Sequence, residues 1–308
     1  MLGKKATRHT WPVLPLTCGL TMALGLFSAA HGQSIDSYYL QPAQDGTNII
    51  ELDGSYQRFN AFQLSNGQKT PNTSLDQYSA TVRYAHYIYI DGHPAGLQIF
   101  QSVDYFADWR FDGFNNDNAS GMKKLQAANT TLSAFFWPYA NRTNQTYVYT
   151  SVFLTPPDTG APRHYEFAAA SNGWDGDAQI GIQKGFGPNL SLEAAVDADF
   201  HSDIDVGDST RRSIDPVYRL QVWANWDWGS GLRTSLGYTG VVGGAWTDTN
   251  DSYQYDVPRN AERQTLRVAT SYWWTPKLQT SLELDHDVQA DGGYQLGVGV
   301  LGRVKFLF

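Results

Sequence analysis

The sequence predicts an all-β protein, a transmembrane antiparallel up-and-down β-barrel of about twelve strands. The first observation is the C-terminal run from Tyr294 to Phe308, in which apolar residues alternate with charged or small ones. Because successive side chains of a strand point to opposite faces, this run predicts one long strand with an apolar face. The second observation is that short turns and long polar loops alternate along the chain, as in outer-membrane barrels. The third is the aromatic content, 18 Tyr, 15 Phe and 10 Trp, which such barrels place in girdles at both membrane interfaces.

The N-terminus has the pattern of a secretory signal peptide over residues 1–32. Lys4, Lys5 and Arg8 precede an apolar stretch, and a group of small residues follows it. Cleavage is expected after Ala30 or Gly32. Residues 33–47 are then expected to be a periplasmic N-terminal segment, and residues 48–308 the outer-membrane barrel.

Composition narrows the function classes. The formal charge of -8 becomes -11 once the three basic residues of the signal peptide are removed, and an acidic secreted chain argues against a nucleic-acid partner. The only cysteine, Cys18, lies in the signal region, so the mature chain has no thiolate ligand or disulfide. Mean hydropathy is -0.40 and no second long apolar run follows, which predicts no transmembrane helix in the mature chain.

Twelve strand candidates follow in order from alternation and from turn residues. The clearest show a strict inside and outside, such as residues 190–200, where apolar side chains alternate with Glu193, Asp197 and Asp199. The predicted strands cover residues 48–59, 76–90, 97–107, 125–137, 146–155, 178–185, 190–200, 218–228, 232–242, 262–274, 278–285 and 294–308. Gly, Pro, Asn and Asp mark short turns at residues 91–94, 187–189, 229–231 and 275–277. Twelve strands put both termini on the periplasmic side.

Charged residues occupy the faces predicted to point into the barrel. One interpretation is a network of ion pairs that fills the lumen and fixes the strand register, and this is the more common arrangement. The other is a polar conduit whose field selects solutes. The candidate lumen residues are Arg83, Glu193, Asp197, Asp199, Arg219, Asp227, Arg233, Arg263, Arg267, Glu283, Asp285, Arg303 and Lys305.

Two further groups of residues carry predictions. Val304, Phe306 and Phe308 are expected to face lipid and, as a strand with a terminal aromatic residue, to be read by the barrel-insertion machinery. Aromatic residues of the long loops are candidates for an external site that captures an aromatic ring by stacking, or else they pack the loops together. These are Trp109, Phe111, Phe114, Tyr253 and Tyr255.

No catalytic or metal motif is present: there is no serine elbow, Walker loop or H-E-x-x-H pattern. We therefore expect a protein that is not an enzyme and has neither cofactor nor metal. A barrel enzyme acting on lipid is kept as an alternative, because His86 and His286 fall on outward faces and would need a serine hydroxyl within reach.

Several stretches together carry a family resemblance: Asn172-Gly173-Trp174, the run from Gly187 to Asp197, Asp215-Pro216-Val217-Tyr218-Arg219, Trp274-Thr275-Pro276 and Gly292-Gly293-Tyr294. They resemble a family of outer-membrane proteins labelled for the MetA pathway of phenol degradation. One departure is the run from Leu154 to Gly160, where the family more often has a compact Leu-Pro-Thr-Gly. The resemblance implies a barrel that acts as an outer-membrane transporter or channel for phenolic or other aromatic compounds, and it transfers no catalytic residue.

The sequence thus predicts an outer-membrane channel of a Gram-negative cell for passive uptake of a small, aromatic solute. Its expected partners are outer-membrane lipid, the insertion machinery and the solute. A barrel enzyme and a closed structural or adhesive barrel remain the alternatives.

Overall fold

The computed structural model describes residues 34–63, 68–111, 114–115, 121–158, 168–205, 210–249, 254–257 and 262–308. The predicted signal peptide and its cleavage site lie outside these residues. Within the described part of the chain, no helix is long and apolar enough to cross a membrane.

Twelve long strands form the body of the described structure. They are β1 (Asn48–Gln63), β2 (Ser74–Ile90), β3 (His93–Phe111), β4 (Thr131–Asn141), β5 (Thr146–Thr155), β6 (Asp175–Phe186), β7 (Leu190–His201), β8 (Val217–Asp227), β9 (Leu232–Gly243), β10 (Glu262–Thr275), β11 (Leu278–Asp291) and β12 (Tyr294–Leu307). Each pairs antiparallel with its neighbours in sequence, and β12 pairs with β1 from Ile49↔Leu307 to Phe62↔Tyr294. The sheet is therefore a closed up-and-down barrel, and the predicted fold class is confirmed.

The barrel has a turn end and a loop end. Five short connections and the outer ends of β1 and β12 lie at the turn end, where Asp91 and Gly92 take positive φ values of 51° and 82°. Two consecutive residues at positive φ form the type of turn whose twist matches that of the flanking strands. One short connection, Gly292 and Gly293 between β11 and β12, lies at the loop end instead. The predicted strand β5 agrees with the structure at both ends, whereas β3 begins four residues earlier than predicted and β4 begins six residues later.

The outward face of the barrel is apolar between two rows of aromatic side chains. At the turn end, three pairs lie in contact: Trp226–Trp228, Tyr272–Trp274 and Phe306–Phe308. Toward the loop end, Tyr78 lies between Tyr56 and Tyr105, with ring centroids 5.1 and 6.1 Å apart. Two such rows around an apolar band are the girdles of a membrane-spanning barrel.

A second, small sheet forms at the loop end from two neighbouring connections. It contains Ile204–Asp205, Arg211–Ile214, Trp246–Thr249 and Gln254–Val257. The side chains of Arg212 and Asp248 meet across its central pair, with Nε–Oδ1 and Nη2–Oδ2 distances of 2.6 and 2.7 Å. This bidentate pair is buried, and the guanidinium lies over the Trp246 ring.

Two β-bulges interrupt the seam between β1 and β12. Gly297 is an extra residue in β12, and Asn60 is an extra residue in β1. Because a bulge shifts the alternation by one residue, side chains beyond it change face. Tyr294 and Leu296, predicted on the same apolar outer face as Phe308, are instead buried inside the barrel, each 1% exposed.

Candidate functional site

The lumen of the barrel is lined by ion pairs, beginning with a cluster around Glu51 at the seam. Glu51 is 1% exposed and receives three cations from the neighbouring strands. Its Oε1 lies 3.3 Å from Nη1 of Arg83 and 3.4 Å from Nε of Arg303, and its Oε2 lies 3.1 Å from Nζ of Lys305. Arg303 also binds Asp53 on β1, with an Nε–Oδ1 distance of 2.7 Å. The cluster joins the first and last strands.

A second group of charges lies on β10 and β11. Nε of Arg267 donates to Oε1 of Glu283 over 2.8 Å and lies 3.6 Å from Oδ1 of Asp285. Nε of Arg263 lies 3.6 Å from Oδ1 of Asp287. These contacts place basic residues of one strand against acidic residues of the next, as the cross-strand register of the pair requires.

A third group lies on β6, β7 and β8, on the opposite wall. Oδ1 of Asp197 lies 3.1 Å from Nη1 of Arg219, and Oδ2 accepts a hydrogen bond from Gln221 over 3.1 Å. Nearer the loop end, Nδ1 of His201 lies 2.7 Å from Oδ1 of Asp175. Nε2 of the same ring lies 3.8 Å from Oδ2 of Asp199.

Every lumen residue predicted from the sequence is buried or half-buried in the structure. Asp227 and Arg233 form a separate pair at the turn end, 2.9 Å apart. Glu193, 1% exposed, accepts a hydrogen bond from the backbone N–H of Tyr38 over 3.0 Å. The contacts of these charged residues largely pair one strand with another and bind the N-terminal segment.

The N-terminal segment, residues 34–47, lies inside the barrel. The sequence predicted a periplasmic segment, and the structure places it among the lumen side chains instead. Ile35 and Leu40 are fully buried, and they pack in one cluster with Trp137 and Trp223. A tight turn shapes the segment: Tyr39 N–H donates to the Asp36 carbonyl over 3.1 Å, with Tyr38 at a φ of 63°.

Polar contacts hold the backbone of this segment to the wall. The indole N–H of Trp223 donates to the Ile35 carbonyl over 3.1 Å, and that of Trp137 donates to the Leu40 carbonyl over 2.8 Å. The Ile35 carbonyl also accepts from Nη1 of Arg267 over 3.1 Å. Since a buried backbone carbonyl without a donor is costly, these indoles explain why two large aromatic residues point inward.

An electrostatic contact fixes the middle of the segment. Oδ2 of Asp36 lies 2.6 Å from Nη1 of Arg303. The ring of Tyr38 lies under the guanidinium of Arg233, 4.3 Å from its Cζ. Burial raises the pKa of Tyr38 to about 12, and the charge of Arg233 opposes this rise.

Asp36, Trp137 and Trp223 are site residues that the sequence pattern did not predict. A signal was present: Ile35, Tyr38, Tyr39 and Leu40 are more apolar than a solvated periplasmic linker requires. The inward position of Trp223 on its strand also implied a buried partner for its N–H.

A cavity of ≈ 180 Å³ remains beside the N-terminal segment. Ser34 and Asp36 contribute to one boundary, and Tyr294 and Leu296 to another. Its walls carry both signs of charge, including Arg219, Arg263, Asp199, Glu283 and Asp285. The arrangement can hold a small solute between polar walls and an apolar patch.

The apolar patch belongs to an aromatic cluster toward the loop end. It contains Phe59, Phe62, Leu75, Phe106, Trp109, Met122, Tyr294 and Leu296, with Phe111 packed against it. The indole N–H of Trp109 donates to the Tyr294 hydroxyl over 2.9 Å. Trp109 and Phe111, predicted as external capture residues, therefore pack into this cluster.

The other predicted capture residues are described less fully. Phe114 and Tyr255 are described only as strand positions, in Phe114–Asn115 and Gln254–Val257. Tyr253 lies outside the described residues. The structure therefore does not bring these three into a described site.

The residues predicted to be read on insertion lie on the outer wall. Val304, Phe306 and Phe308 are all exposed, and the rings of Phe306 and Phe308 stack with centroids 5.9 Å apart.

The two histidines considered for lipid chemistry bond to groups other than serine. Nδ1 of His86 lies 2.8 Å from Oδ1 of Asn48, and Nδ1 of His286 lies 2.6 Å from the Gly297 carbonyl. In the described part of the chain, no cluster of three or more His, Cys, Asp or Glu residues is arranged to hold a metal ion.

Comparison with known proteins gives one family and a group of barrels. The family model described as "Putative MetA-pathway of phenol degradation" matches residues 59–301. A search of curated protein sequences returns no significant match.

Among solved structures, the chain is similar to the COG4313 outer membrane channel from Pseudomonas putida F1. The identity is 20% and the TM-score 0.79, over 89% of this chain and 100% of that one. It is also similar to the beta domain of the Bordetella autotransporter BrkA, at 11% identity and a TM-score of 0.50, over 86% and 100% of the two chains. At these identities, the likeness concerns the fold.

Proposed function

Because the chain belongs to the family described as "Putative MetA-pathway of phenol degradation", we propose that it is an outer-membrane channel for passive uptake of a small aromatic, phenolic solute. The observation that carries the proposal is the cavity of ≈ 180 Å³ between the N-terminal segment and the aromatic cluster. It combines charged walls with an apolar patch at Tyr294 and Leu296, which suits a ring that carries a hydroxyl group. The protein named as an outer membrane channel shares this fold.

The size of the solute follows from the N-terminal segment. Twelve strands leave a lumen narrower than that of a sixteen-stranded porin. The N-terminal segment occupies part of that lumen, where its side chains Ile35 and Leu40 are fully buried. What remains admits a single ring or a few waters, and the passage is passive since the barrel carries no nucleotide-binding or catalytic motif.

The orientation and partners of the channel complete the proposal. Both termini would be periplasmic, the long loops external, and the apolar outer wall would contact outer-membrane lipid. The exposed side chains of Val304, Phe306 and Phe308 would present the closing strand to the insertion machinery. The lumen ion pairs, led by those of Arg303 and Arg267, would set the strand register and tune selectivity.

Planar-bilayer conductance, measured with and without phenol, tests the proposal together with phenol entry into vesicles that carry the purified protein. We expect discrete channel events that phenol reduces, and phenol entry that depends on the protein. The absence of both channel events and protein-dependent phenol entry would contradict the proposed channel function.

A closed structural barrel is the second candidate, and the inserted N-terminal segment favours it. Removal of residues 34–43 separates the two. If the segment narrows a channel, its removal increases the conductance. If the lumen side chains close the barrel throughout, no conductance is measured with or without the segment.

A further inference from the structure

A group of basic side chains lies on the outer wall of the barrel at the loop end. On β1, Arg58 is exposed and points outward, because the next residue, Phe59, is fully buried inside the barrel. On β3, Arg110 is exposed and follows Trp109, which belongs to the buried aromatic cluster. Both arginines therefore lie on the outward face of their strands.

Two lysines extend this group along the wall. The short strand Leu125–Ala127 pairs with the loop-end half of β3. Just before it, the Lys123 N–H donates to the Phe106 carbonyl over 2.8 Å, which holds the exposed residues Lys123 and Lys124 beside β3. We use the name basic rim for the four exposed cations Arg58, Arg110, Lys123 and Lys124.

The basic rim borders the aromatic row of the outer wall. Tyr56 is two residues before Arg58 on the same face of β1, and it contacts Tyr78, whose other neighbour is Tyr105 on β3. Leu125 is opposite Tyr105 and is 73% exposed. Tyrosines of such a girdle lie at the level of the lipid headgroups. The cations are one step further toward the loop end, at the level where phosphate groups of the surrounding leaflet would lie.

Two carboxylates belong to the same surface. Nη1 of Arg58 lies 3.4 Å from Oδ1 of Asp76, a residue that is only 4% exposed, whereas Asp108 is exposed. The side chain of Arg58 remains 48% exposed, so its guanidinium can bind a second anion. In the described part of this wall, the four cations of the basic rim thus outnumber the two carboxylates beside them, although the whole chain has a formal net charge of -8.

The basic rim occupies one side of the barrel. On β5, β7, β8 and β9, the exposed outward residues nearest the loop end are uncharged: Leu154, Phe200, Tyr218 and Val242. A general preference for positive charge at this level of the membrane would place cations all around the barrel. Their collection on one side instead indicates a ligand that binds there.

The spacing of the basic rim favours a headgroup with more than one phosphate. Neighbouring strands are about 4.8 Å apart, so Arg58 on β1 and Lys123 beside β3 are separated by three strand spacings, roughly 14 Å. One phosphate cannot contact both, but a headgroup with a phosphate at each end can. An arginine binds phosphate through paired N–H donors and a lysine binds it as a point charge. Below the rim, the exposed side chains of Val82 and Ile99 on β2 and β3 offer an apolar surface to acyl chains.

We propose that the basic rim binds the headgroup of an outer-leaflet lipid that carries two phosphates, while the acyl chains of that lipid lie against the apolar wall below. The inference goes beyond the proposed channel function, because lipid binding on the outer wall needs no open lumen. It uses the proposed orientation only in placing the loop end in the outer leaflet. A bound lipid connects β1 to β3 from outside the barrel.

Titration of the purified protein in detergent micelles tests the proposal, with the bound lipid counted by native mass spectrometry. The three probes are lipid A with both of its phosphates, the same lipid after removal of the phosphates, and inorganic pyrophosphate. We expect the diphosphorylated lipid to bind at one site per barrel. The other two probes should leave that site largely empty at the same concentration.

A variant that lacks two cations of the basic rim locates the site. Each Lys or Arg near a lipid surface changes binding by about fivefold, so Arg58→Gln/Arg110→Gln should bind diphosphorylated lipid A about 30-fold more weakly. The matched control is Arg211→Gln/Lys277→Gln, which removes two exposed cations, one from the small loop-end sheet and one at the turn end. The control should bind the lipid as tightly as the native protein does.

A second variant leaves the contact between Arg58 and Asp76 in place. Lys123→Gln/Lys124→Gln should weaken binding of the diphosphorylated lipid by a similar factor, about 30-fold. It keeps the test decisive if the loss of Arg58 disturbs the barrel. Such a disturbance would be seen as a loss of the folded band on an unheated gel.

Three results would overturn the proposal. The first is equal binding of lipid A with and without its phosphates, or no binding of either form. The second is an equal loss of affinity in the control variant. The third is equal occupancy by inorganic pyrophosphate, which would show that the site takes free anions and that the apolar wall has no part. Because none of these measurements uses conductance, the proposed channel stands or falls separately.

Discussion

The guanidinium of Arg303, on the closing strand of the barrel, lies 2.6 Å from the carboxylate of Asp36, in the segment that precedes the first strand. The same guanidinium binds Asp53 across the seam, 2.7 Å from its Oδ1. One side chain therefore joins three parts of the molecule: the N-terminal segment, the first strand and the last strand.

Asp36→Asn should release the N-terminal segment while the barrel stays closed. Arg303 keeps Asp53 and Glu51 as partners, so the seam is retained. The free energy that holds the N-terminal segment in the lumen should fall by about 1.5–3 kcal/mol, the value of a charged hydrogen bond. We expect larger conductance and faster proteolysis near Ile35, with the unfolding midpoint of the barrel little changed.

Asp53→Asn is the matched control, since it removes another carboxylate from the same guanidinium. It should lower the unfolding midpoint of the barrel and leave proteolysis near Ile35 as in the native protein. Equal effects of the two variants on proteolysis would show that the contacts of Arg303 cannot be separated in this way.

Gly181→Val should displace the N-terminal segment by occupying its place. A Cβ at position 181 would lie 2.8 Å from Cδ1 of Leu40, so a branched side chain there and Leu40 cannot occupy the same space. The expected result is an increase in conductance similar to that of a deletion of residues 34–43.

A second substitution checks that the effect comes from this contact. Leu40→Ala combined with Gly181→Val restores the volume and should return the conductance toward the native value. A double variant no different from Gly181→Val alone would mean that the strand, and not the segment, had been disturbed.

Asp248→Ala should unfold the small loop-end sheet and spare the barrel. It leaves the buried Arg212 guanidinium, whose pKa burial already lowers, without its bidentate partner. Breaking a buried pair costs about 3–5 kcal/mol. Hydrogen exchange should accelerate in Arg211–Ile214 and Trp246–Thr249, with no change in β8 or β9.

The neighbouring ion pair provides a comparison on the same strand. Arg211 and Asp203 lie 2.7 Å apart, but the Arg211 side chain is 74% exposed. Asp203→Ala should therefore change exchange in the small sheet by no more than about 0–1 kcal/mol. A larger effect than that of Asp248→Ala would contradict the assignment of stability to the buried pair.

The seating of the N-terminal segment should weaken in alkaline solution. Burial raises the pKa of Tyr38 from 10.0 to about 12, so between these values the seated segment retains a proton that the released segment loses. The neutral Tyr38 hydroxyl therefore contributes fully to the stability of the seated segment below pH 10, and this contribution is lost as the pH rises through about 12. Proteolysis near Ile35, measured from pH 9 to 12, should increase over this window.

Tyr38→Phe retains the ring under Arg233 but has no hydroxyl to titrate. The difference between the native protein and this variant isolates Tyr38 from the other tyrosines of the barrel. The same pH profile in both proteins would contradict a role for its ionisation.

Much of the barrel could be predicted because the alternation of side chains along a strand shows which residues face the lumen and which face outward. In β7, Glu193, Asp197 and Asp199 fall on the buried face and Val196 on the exposed one, as a period of two requires. The pairing of β1 with β12 also followed, since an even, up-and-down order leaves the first and last strands as partners.

The β-bulges and the inserted N-terminal segment could not be predicted, because neither leaves a periodic pattern in the sequence. The extra residues Gly297 and Asn60 move Tyr294 and Leu296 into the barrel, and alternation alone cannot register an inserted residue. The insertion of residues 34–47 depends on complementarity between a short irregular stretch and a wall assembled from distant strands. Trp223 and Ile35, for example, are 188 residues apart.

The position of Arg303 also has a consequence for the order of assembly. The ladders of the described barrel join strands adjacent in the chain, except for the seam, where Asp53 and Arg303 are 250 residues apart. Hairpins can therefore form one after another, and the seam closes last because its loop closure is the longest. Since Arg303 binds Asp36 as well as Asp53, the seam reaches its full set of contacts only when the segment is already inside. A barrel that closes without the N-terminal segment in its lumen lacks the contact between Arg303 and Asp36. We expect the seam of such a barrel to be less stable, so that unfolding begins there.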